Sequence, residues 1–361
     1  MPPTPAAPLV IRFGAFGDMV LLTPLLRLLH RRYGQPCRVL GSGGWLEPLF
    51  AGHPDVRATL KLSSRKRPYW LDASQRRLVA LLRAQPPGPV YVCDDYSIEK
   101  IRWLLRRARI PADHCVFANP DCMLRAGEHW IDRWRRFGAL TPAAFASAPP
   151  ADAPDAPCLV VHQEDRADLQ AWLRAHGFDG APLVLVQPGN KRTLKRGRAG
   201  QLGDDKQWPL ANWVSLVHAL LARRADAKVI LCGAPPEAAL LSTIAEAAHS
   251  GRVLAAGDEL PLRRLLALCE RAAAMVSVDT GPAQAAAALG CPLVVLYGAQ
   301  PPSLWLPRSP TGSAVVALGG LPERDRVDRI SLDEAIAAWQ ALPLRNPASW
   351  SSITMPACAP S

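Results

Sequence analysis

Residues 275–298 read MVSVDTGPAQAAAALGCPLVVLYG, and the fold class turns on this stretch. The run 275–278 is short, apolar and partly β-branched, long enough for one buried strand of a parallel sheet and too short for a helix. Asp279, Thr280 and Gly281 break it. Pro282 then supplies a fixed φ suited to a first helical turn, and the alanine-rich run 283–289 is stopped by Gly290 and Pro292. A second apolar run, 293–297, follows. Strand, turn, helix and strand in succession set the unpaired N–H groups and positive dipole end of a helix start beside a strand C-terminus. Anions bind at such corners. On these residues alone, Asp279 and Thr280 could equally do no more than cap the helix.

The pattern repeats along the chain. In the first half, strands are expected at 9–13, 38–41, 55–63 and 89–93, alternating with helices at 18–32, 45–50, 74–84 and 98–109. The second half opens with a strand at 183–187 and the turn Pro188, Gly189, Asn190. A helix at 210–223, a strand at 228–232, a turn through Glu237 into a helix ending near His249, a short strand at 252–254 and a helix at 261–274 follow. Strands alternating with helices predict doubly wound parallel sheets. Residues 139–157, ALTPAAFASAPPADAPDAP, have no apolar period and read as a loose connection. A helix at 168–176 leads to a domain boundary near 177–182, and an amphipathic helix at 330–341 precedes a loose tail.

With 361 residues, 49% apolar and 20% charged, the chain is an ordinary globular protein with core enough for two domains. The opening MPPTPAAPLVIRF has neither a basic n-region nor a signal-length apolar stretch, and no run approaches 18 apolar residues, so a cytoplasmic protein is expected. Nine scattered cysteines without a C-x-x-C pair predict free thiols and no metal site. The net charge of +11 is uneven: residues 1–178 carry 24 Lys and Arg against 16 Asp and Glu, and the remainder 18 against 15. A basic first half suits a phosphorylated glycolipid or an anionic membrane surface; nucleic acid is not expected, because no recognition motif accompanies the charge. A solvated basic surface without a partner is the plainer reading. The turn Gly14-Ala15-Phe16-Gly17 is not the G-x-G-x-x-G of dinucleotide enzymes, which counts against an oxidoreductase.

VDTGPAQAAAALG resembles the nucleotide-sugar signature of the heptosyltransferase family (glycosyltransferase family 9), the enzymes of lipopolysaccharide core assembly. IRFGAFGDMVLLTPLLRLLHRRYG is similar to the same family's opening segment. The resemblance implies a GT-B fold, two facing doubly wound (Rossmann-like) domains with a cleft between them. Residues 1–178 would bind the acceptor, 179–328 the nucleotide-sugar donor, and 329–361 would carry a helix packing back on the first domain, then a tail. It also implies inverting, metal-independent transfer of heptose from ADP-heptose to a lipopolysaccharide-core hydroxyl. No cofactor is needed, since the nucleotide sugar is itself a substrate. The protein would sit in the cytoplasm or at the cytoplasmic face of the inner membrane.

Carried over residue by residue, Asp18 matches the family's catalytic base, with Gly17 before it. Lys206, in K-x-W-P with Trp208 and Pro209, matches the lysine on the donor diphosphate. Gly189 and Asn190 close the strand before it, Glu237 approaches the nucleoside and Leu260 the base. Asp279, Thr280, Gly281 and Pro282 open the helix facing the donor. Gln284 stands where the family carries His; it can donate a hydrogen bond but cannot titrate. A basic insertion, 191–203, displaces the family's Thr or Ser near the phosphates, with Thr193 as a substitute. Arg65, Lys66, Arg67 and Lys100 are acceptor candidates. Read from residues alone, Asp18 is a helix-start acid, and a helix N-terminus lowers a carboxyl pKa whereas a general base gains from a raised one. Two rivals stand beside this reading: the same fold with another donor or a protein acceptor, and a non-catalytic nucleotide-binding module that would not need Asp18.

Overall fold

The computed structural model describes residues 6–63, 69–190 and 205–346. They divide into two compact units, one through Val160 and one from Val161. The first is built on five parallel strands, β1 (Leu9–Ile11), β2 (Cys37–Gly41), β3 (Val56–Lys61), β4 (Val90–Val92) and β5 (Cys115–Phe117), in the order β3-β2-β1-β4-β5. Central β1 pairs on both sides, Leu9 lying opposite Arg38 and Val90. Burial on both faces is why β1 and β4 are unbroken apolar runs rather than alternating ones. Strand β5 was not expected from the sequence, because CVF is too short to carry a period.

The expected helix at 18–32 is two helices, Phe16–Val20 and Thr23–Tyr33. Pro24 has no N–H to offer Val20, and the Thr23 hydroxyl takes that carbonyl instead, at 2.9 Å.

The second unit holds six parallel strands, β6 (Leu183–Gln187), β7 (Lys228–Leu231), β8 (Val253–Ala255), β9 (Ala274–Val278), β10 (Leu293–Tyr297) and β11 (Val315–Gly319), in the order β11-β10-β9-β6-β7-β8. Both units are therefore doubly wound, as the alternation predicts. Strand β11 escaped the sequence reading; it is an edge strand, half-buried throughout, with no helical pattern ahead of it to complete a recognisable unit. The helix Gly281–Ala288 lies against β9 and β10 with Ala283 and Ala285–Ala288 all buried. Alanine allows a close approach that longer side chains would prevent.

One boundary departs from expectation. The second unit begins near 161 rather than 179, because the helix Gln163–Ala175 is tied to the helix Leu262–Arg271. Arg166 makes bonds of 2.6 and 2.7 Å to Glu270, Arg264 bonds of 2.7 and 2.8 Å to Asp168, and Arg263 grips Asp165 with both arms. The last helix is Leu332–Ala341. It packs on the helix Leu210–Arg223, and Ala335 and Trp339 join the same core as Trp213 and Leu220. Its Ser331 and Glu334 form a capping box.

The thiol expectation also needs correction: Cys158 is disulfide-bonded, while Cys37, Cys93, Cys115, Cys122, Cys232, Cys269 and Cys291 are free. Sequence spacing does not reveal which cysteines tertiary folding brings together. Among the described residues no helix is long and apolar enough to cross a membrane.

Trp339 is fully buried, with the Arg223 guanidinium 5.0 Å from its ring centroid. Trp339→Ala should therefore destabilise the second unit by about 3–5 kcal/mol, as for other large-to-small core changes. Urea denaturation checks this, and a loss under about 1 kcal/mol would mean that the helix is only loosely docked.

Candidate functional site

In the second sheet β6 and β9 are neighbours, while the chain leaves β6 towards β7 on one side and β9 towards β10 on the other. Ligands of doubly wound folds bind at the carboxyl ends of strands at such a reversal. There the loops after β6 and β9 supply Gly189 and Asn190, and Asp279, Thr280, Gly281 and Pro282. Thr280 caps the helix Gly281–Ala288, its hydroxyl 3.4 Å from the Ala283 nitrogen and 3.1 Å from Ser277 Oγ. The capping that the residues alone suggest is thus present, and it belongs to Thr280 rather than Asp279.

Asp279 has another partner. Lys206 Nζ donates to Asp279 Oδ2 at 2.5 Å and to the Asp279 carbonyl at 2.9 Å. The segment carrying Lys206 is pinned on both sides. Asp205 accepts the Ala299 N–H on Oδ2 at 2.9 Å and the Val327 N–H on its carbonyl at 2.8 Å. Trp208, buried edge-to-face on Trp213, donates to the Ile330 carbonyl at 2.8 Å. A β-carbon at Gly298 would stand 2.3 Å from the Asp205 carbonyl oxygen, so that backbone approach requires glycine. Asp205 was not singled out from the sequence, since its anchoring role depends on partners about 90 and 120 residues away.

Glu237 comes against Gly189. Only 3% of its surface is exposed; Oε2 accepts the Ala234 N–H at 2.9 Å and Oε1 has no hydrogen-bond partner. A β-carbon on Gly189 would lie 1.7 Å from that Oε1. Burial of this poorly compensated carboxyl pushes its pKa up to about 7. Gln187 braces the same loop by donating to the Gly189 carbonyl at 3.1 Å, and Asn190 is buried beside it in sequence. Leu260, half-exposed, stands just before Pro261 and the helix Leu262–Arg271. Gln284 is buried and donates to the Trp305 carbonyl at 2.7 Å, a carbonyl that Tyr297 also reaches at 3.1 Å, while its Oε1 is unpartnered.

In the first unit, Asp18 lies in the first turn of the helix Phe16–Val20, after the carboxyl end of β1 and with Gly17 before it. Its Oδ2 accepts the Ala15 N–H at 2.6 Å and its Oδ1 accepts from Arg12 at 3.2 Å. Arg12 also donates to the Cys93 carbonyl at 2.7 Å, and its guanidinium stands 5.5 and 5.4 Å from the Trp130 and Trp134 ring centroids. Arg12 thus fixes the carboxylate's direction. Its one sequence signal was a charge ending an apolar strand. Gly14 is needed here, because a β-carbon would sit 2.5 Å from that of Asp18. Lys100 is exposed on the helix Ile98–Arg107. Arg65, Lys66, Arg67 and Thr193 fall outside the described residues.

Residues 144–332 match the profile of glycosyltransferase family 9 (heptosyltransferase). The chain belongs to that family. It is similar to lipopolysaccharide heptosyltransferase 3 of Escherichia coli, 28% identical over an alignment 338 residues long that covers 87% of this chain and 90% of that one. In fold it is similar to E. coli ADP-heptose lipopolysaccharide heptosyltransferase II, with a TM-score of 0.71 and 20% identity over 93% of this chain and 98% of that one. It is also similar to the E. coli heptosyltransferase WaaC solved with ADP, with a TM-score of 0.66 and 19% identity over 93% and 99%. The GT-B fold class follows, and the family makes the chain a glycosyltransferase of the heptosyltransferase type.

The raised pKa of Glu237 has a stability consequence. Between its ordinary 4.5 and about 7 the folded state holds a proton that the unfolded chain has released, so stability falls as pH rises through this window and stays reduced above it. The loss from this one group is up to about 3 kcal/mol. Glu237→Gln keeps the shape without the charge, so its stability relative to wild type should improve from pH 5 to pH 8 in urea titrations. A constant difference at both pH values would show that Glu237 is not desolvated.

Proposed function

We propose that this family member catalyses inverting, metal-independent transfer of heptose from ADP-heptose to a hydroxyl of a lipopolysaccharide-core acceptor. The observation that carries the donor half is the Lys206–Asp279 pair held beside the first turn of the helix Gly281–Ala288, at the reversal of the second sheet. A cation and unpaired helix N–H groups at one place suit a diphosphate. The chain's similarity to a lipopolysaccharide heptosyltransferase and to a heptosyltransferase solved with ADP supports the donor and the acceptor class.

In the proposed reaction the acceptor oxygen attacks the anomeric carbon opposite the diphosphate. A carbon–oxygen bond to the acceptor forms as the bond to the β-phosphate breaks. Asp18 takes the hydroxyl proton, and Lys206 with Thr280, Gly281 and Pro282 stabilises the charge gathering on the leaving diphosphate. That role for Lys206 replaces the one a metal ion plays in other transferases, and no cofactor enters. Glu237 and Leu260 contact the nucleoside, with Gly189 and Asn190 shaping the loop and Gln284 acting through hydrogen bonding alone. The acceptor is acidic, met by Lys100 and by Arg65, Lys66 and Arg67, and the enzyme works in the cytoplasm at the inner face of the inner membrane.

The donor reading predicts that Lys206→Ala weakens ADP binding by about 1–3 kcal/mol, the value of a charge-assisted hydrogen bond. Calorimetry checks it, and unchanged affinity removes Lys206 from the site.

A second reading, a nucleotide-binding module without catalysis, is favoured by one observation: both Asp18 oxygens already have partners within the first unit. Asp18→Asn separates the two. Asn can still accept the Ala15 N–H, so the fold and ADP affinity should hold. If Asp18 is the base, sugar transfer measured in EDTA falls by roughly 10²–10⁴-fold. Turnover within a few-fold of wild type would end the catalytic assignment, and wild-type activity that needs added magnesium or manganese would end the metal-independent one.

A further inference from the structure

The first unit contains a cavity of about 540 Å³ that the donor chemistry leaves unused. Ile11, Phe13, Leu40 and Leu62 line it from the carboxyl ends of β1 to β3, and Ile101 and Leu104 from the helix Ile98–Arg107. Tyr69 and Trp103 add an edge-to-face aromatic pair with centroids 5.5 Å apart. The volume falls within the roughly 300–1,000 Å³ typical of small-molecule sites. Apart from the cations at its rim, its polar groups are few and already engaged. Gln75 reaches Asp72 at 3.4 Å, and Glu99 faces Arg102 at 3.7 Å. A sugar-binding pocket would instead present several converging donors and acceptors, because each hydroxyl buried without a partner is costly. The guest that fits these walls is apolar.

The rim supplies the second half of the argument. Lys100, Arg106 and Arg107 line the same cavity from exposed positions on one helix, and among the described residues no carboxylate pairs with any of them. The Arg107 guanidinium lies 4.4 Å from the centroids of both Tyr69 and Trp103, a cation resting on the aromatic wall. Next to Tyr69, Trp70 and Leu71 leave 72% and 68% of their surface in water. Apolar walls, a cationic rim and exposed apolar side chains beside it together describe a site for an anionic amphiphile.

We propose that this cavity receives an acyl chain of an anionic lipid, with Lys100, Arg106 and Arg107 holding its acidic head group. The proposal deepens the acidic-acceptor reading, with which it shares Lys100, by adding an acyl-chain cavity; binding is measured without nucleotide, so its failure leaves the sugar-transfer reading standing. The probe is monomeric decyl phosphate, titrated into the full-length protein by calorimetry and tryptophan fluorescence. Inorganic phosphate, glucose 1-phosphate and decyl maltoside serve as comparisons. Decyl phosphate should bind saturably, at least tenfold more tightly than any of the three. Lys100→Glu combined with Arg106→Glu should weaken decyl phosphate at least tenfold and leave decyl maltoside unchanged, while Trp103→Ala should weaken both alkyl ligands. Should Trp103→Ala fail to fold, the exposed charge reversals still decide the matter. Equal binding of glucose 1-phosphate would make this an anionic-sugar site, equal binding of decyl maltoside would remove the cations from it, and no saturable binding of decyl phosphate would abolish it; each of these overturns the proposal.

Discussion

Everything assigned to the second unit depends on one ion pair, Lys206 with Asp279, and on how rigidly its members are presented. Asp279 directly follows a strand buried between two others, and its N–H donates to the Leu296 carbonyl at 3.0 Å, so its backbone has little freedom. Lys206 comes from an irregular segment, and its position depends on Asp205 and Trp208, which tie that segment to the ends of β10 and to Ile330. A flexible lysine would lose rotamer entropy on meeting a phosphate. Here much of that ordering precedes any ligand. Both partners are mostly buried, so the pair is shielded from the screening that weakens surface salt bridges.

Around this pair the fold keeps polar groups that stability alone would not select. Glu237 buries an unpartnered oxygen against Gly189, and Gln284 buries another beside the Trp305 segment. Each such atom costs about 1–3 kcal/mol. Their grouping around the ends of β6, β7 and β9, where the sheet reverses, is the pattern of a site prepared for a ligand with polar groups of its own.

The first unit follows the same logic with different chemistry. Its order of strands also reverses beside β1, and the loop leaving β1 presents Asp18, oriented by Arg12 and by the Ala15 N–H. The guanidinium of Arg12 is in turn fixed by the Cys93 carbonyl and flanked by two tryptophans. Phe13, five residues before Asp18, lines the apolar cavity. One short segment, from the end of β1 into the helix Phe16–Val20, thus contributes to both a polar and an apolar feature.

The sequence by itself determined the doubly wound character of both halves, the strand and helix around 275–298, and the candidates at Asp18, Lys206, Glu237 and 279–284. These are local matters: apolar runs of strand length, turn residues between them, and motif spacing are all written within a few dozen residues. Tertiary structure alone decided that Gln163–Ala175 belongs with the second unit, since its three partners Arg263, Arg264 and Glu270 lie about 100 residues away. It also decided that the last helix joins the core of Trp213, that Asp279 spends its charge on Lys206 rather than on capping, and that Glu237 loses its solvent against Gly189. Strands β5 and β11 were hidden for a different reason: edge strands of three to five residues are too short to carry a period of their own and take their conformation from the neighbours they pair with, β4 and β10.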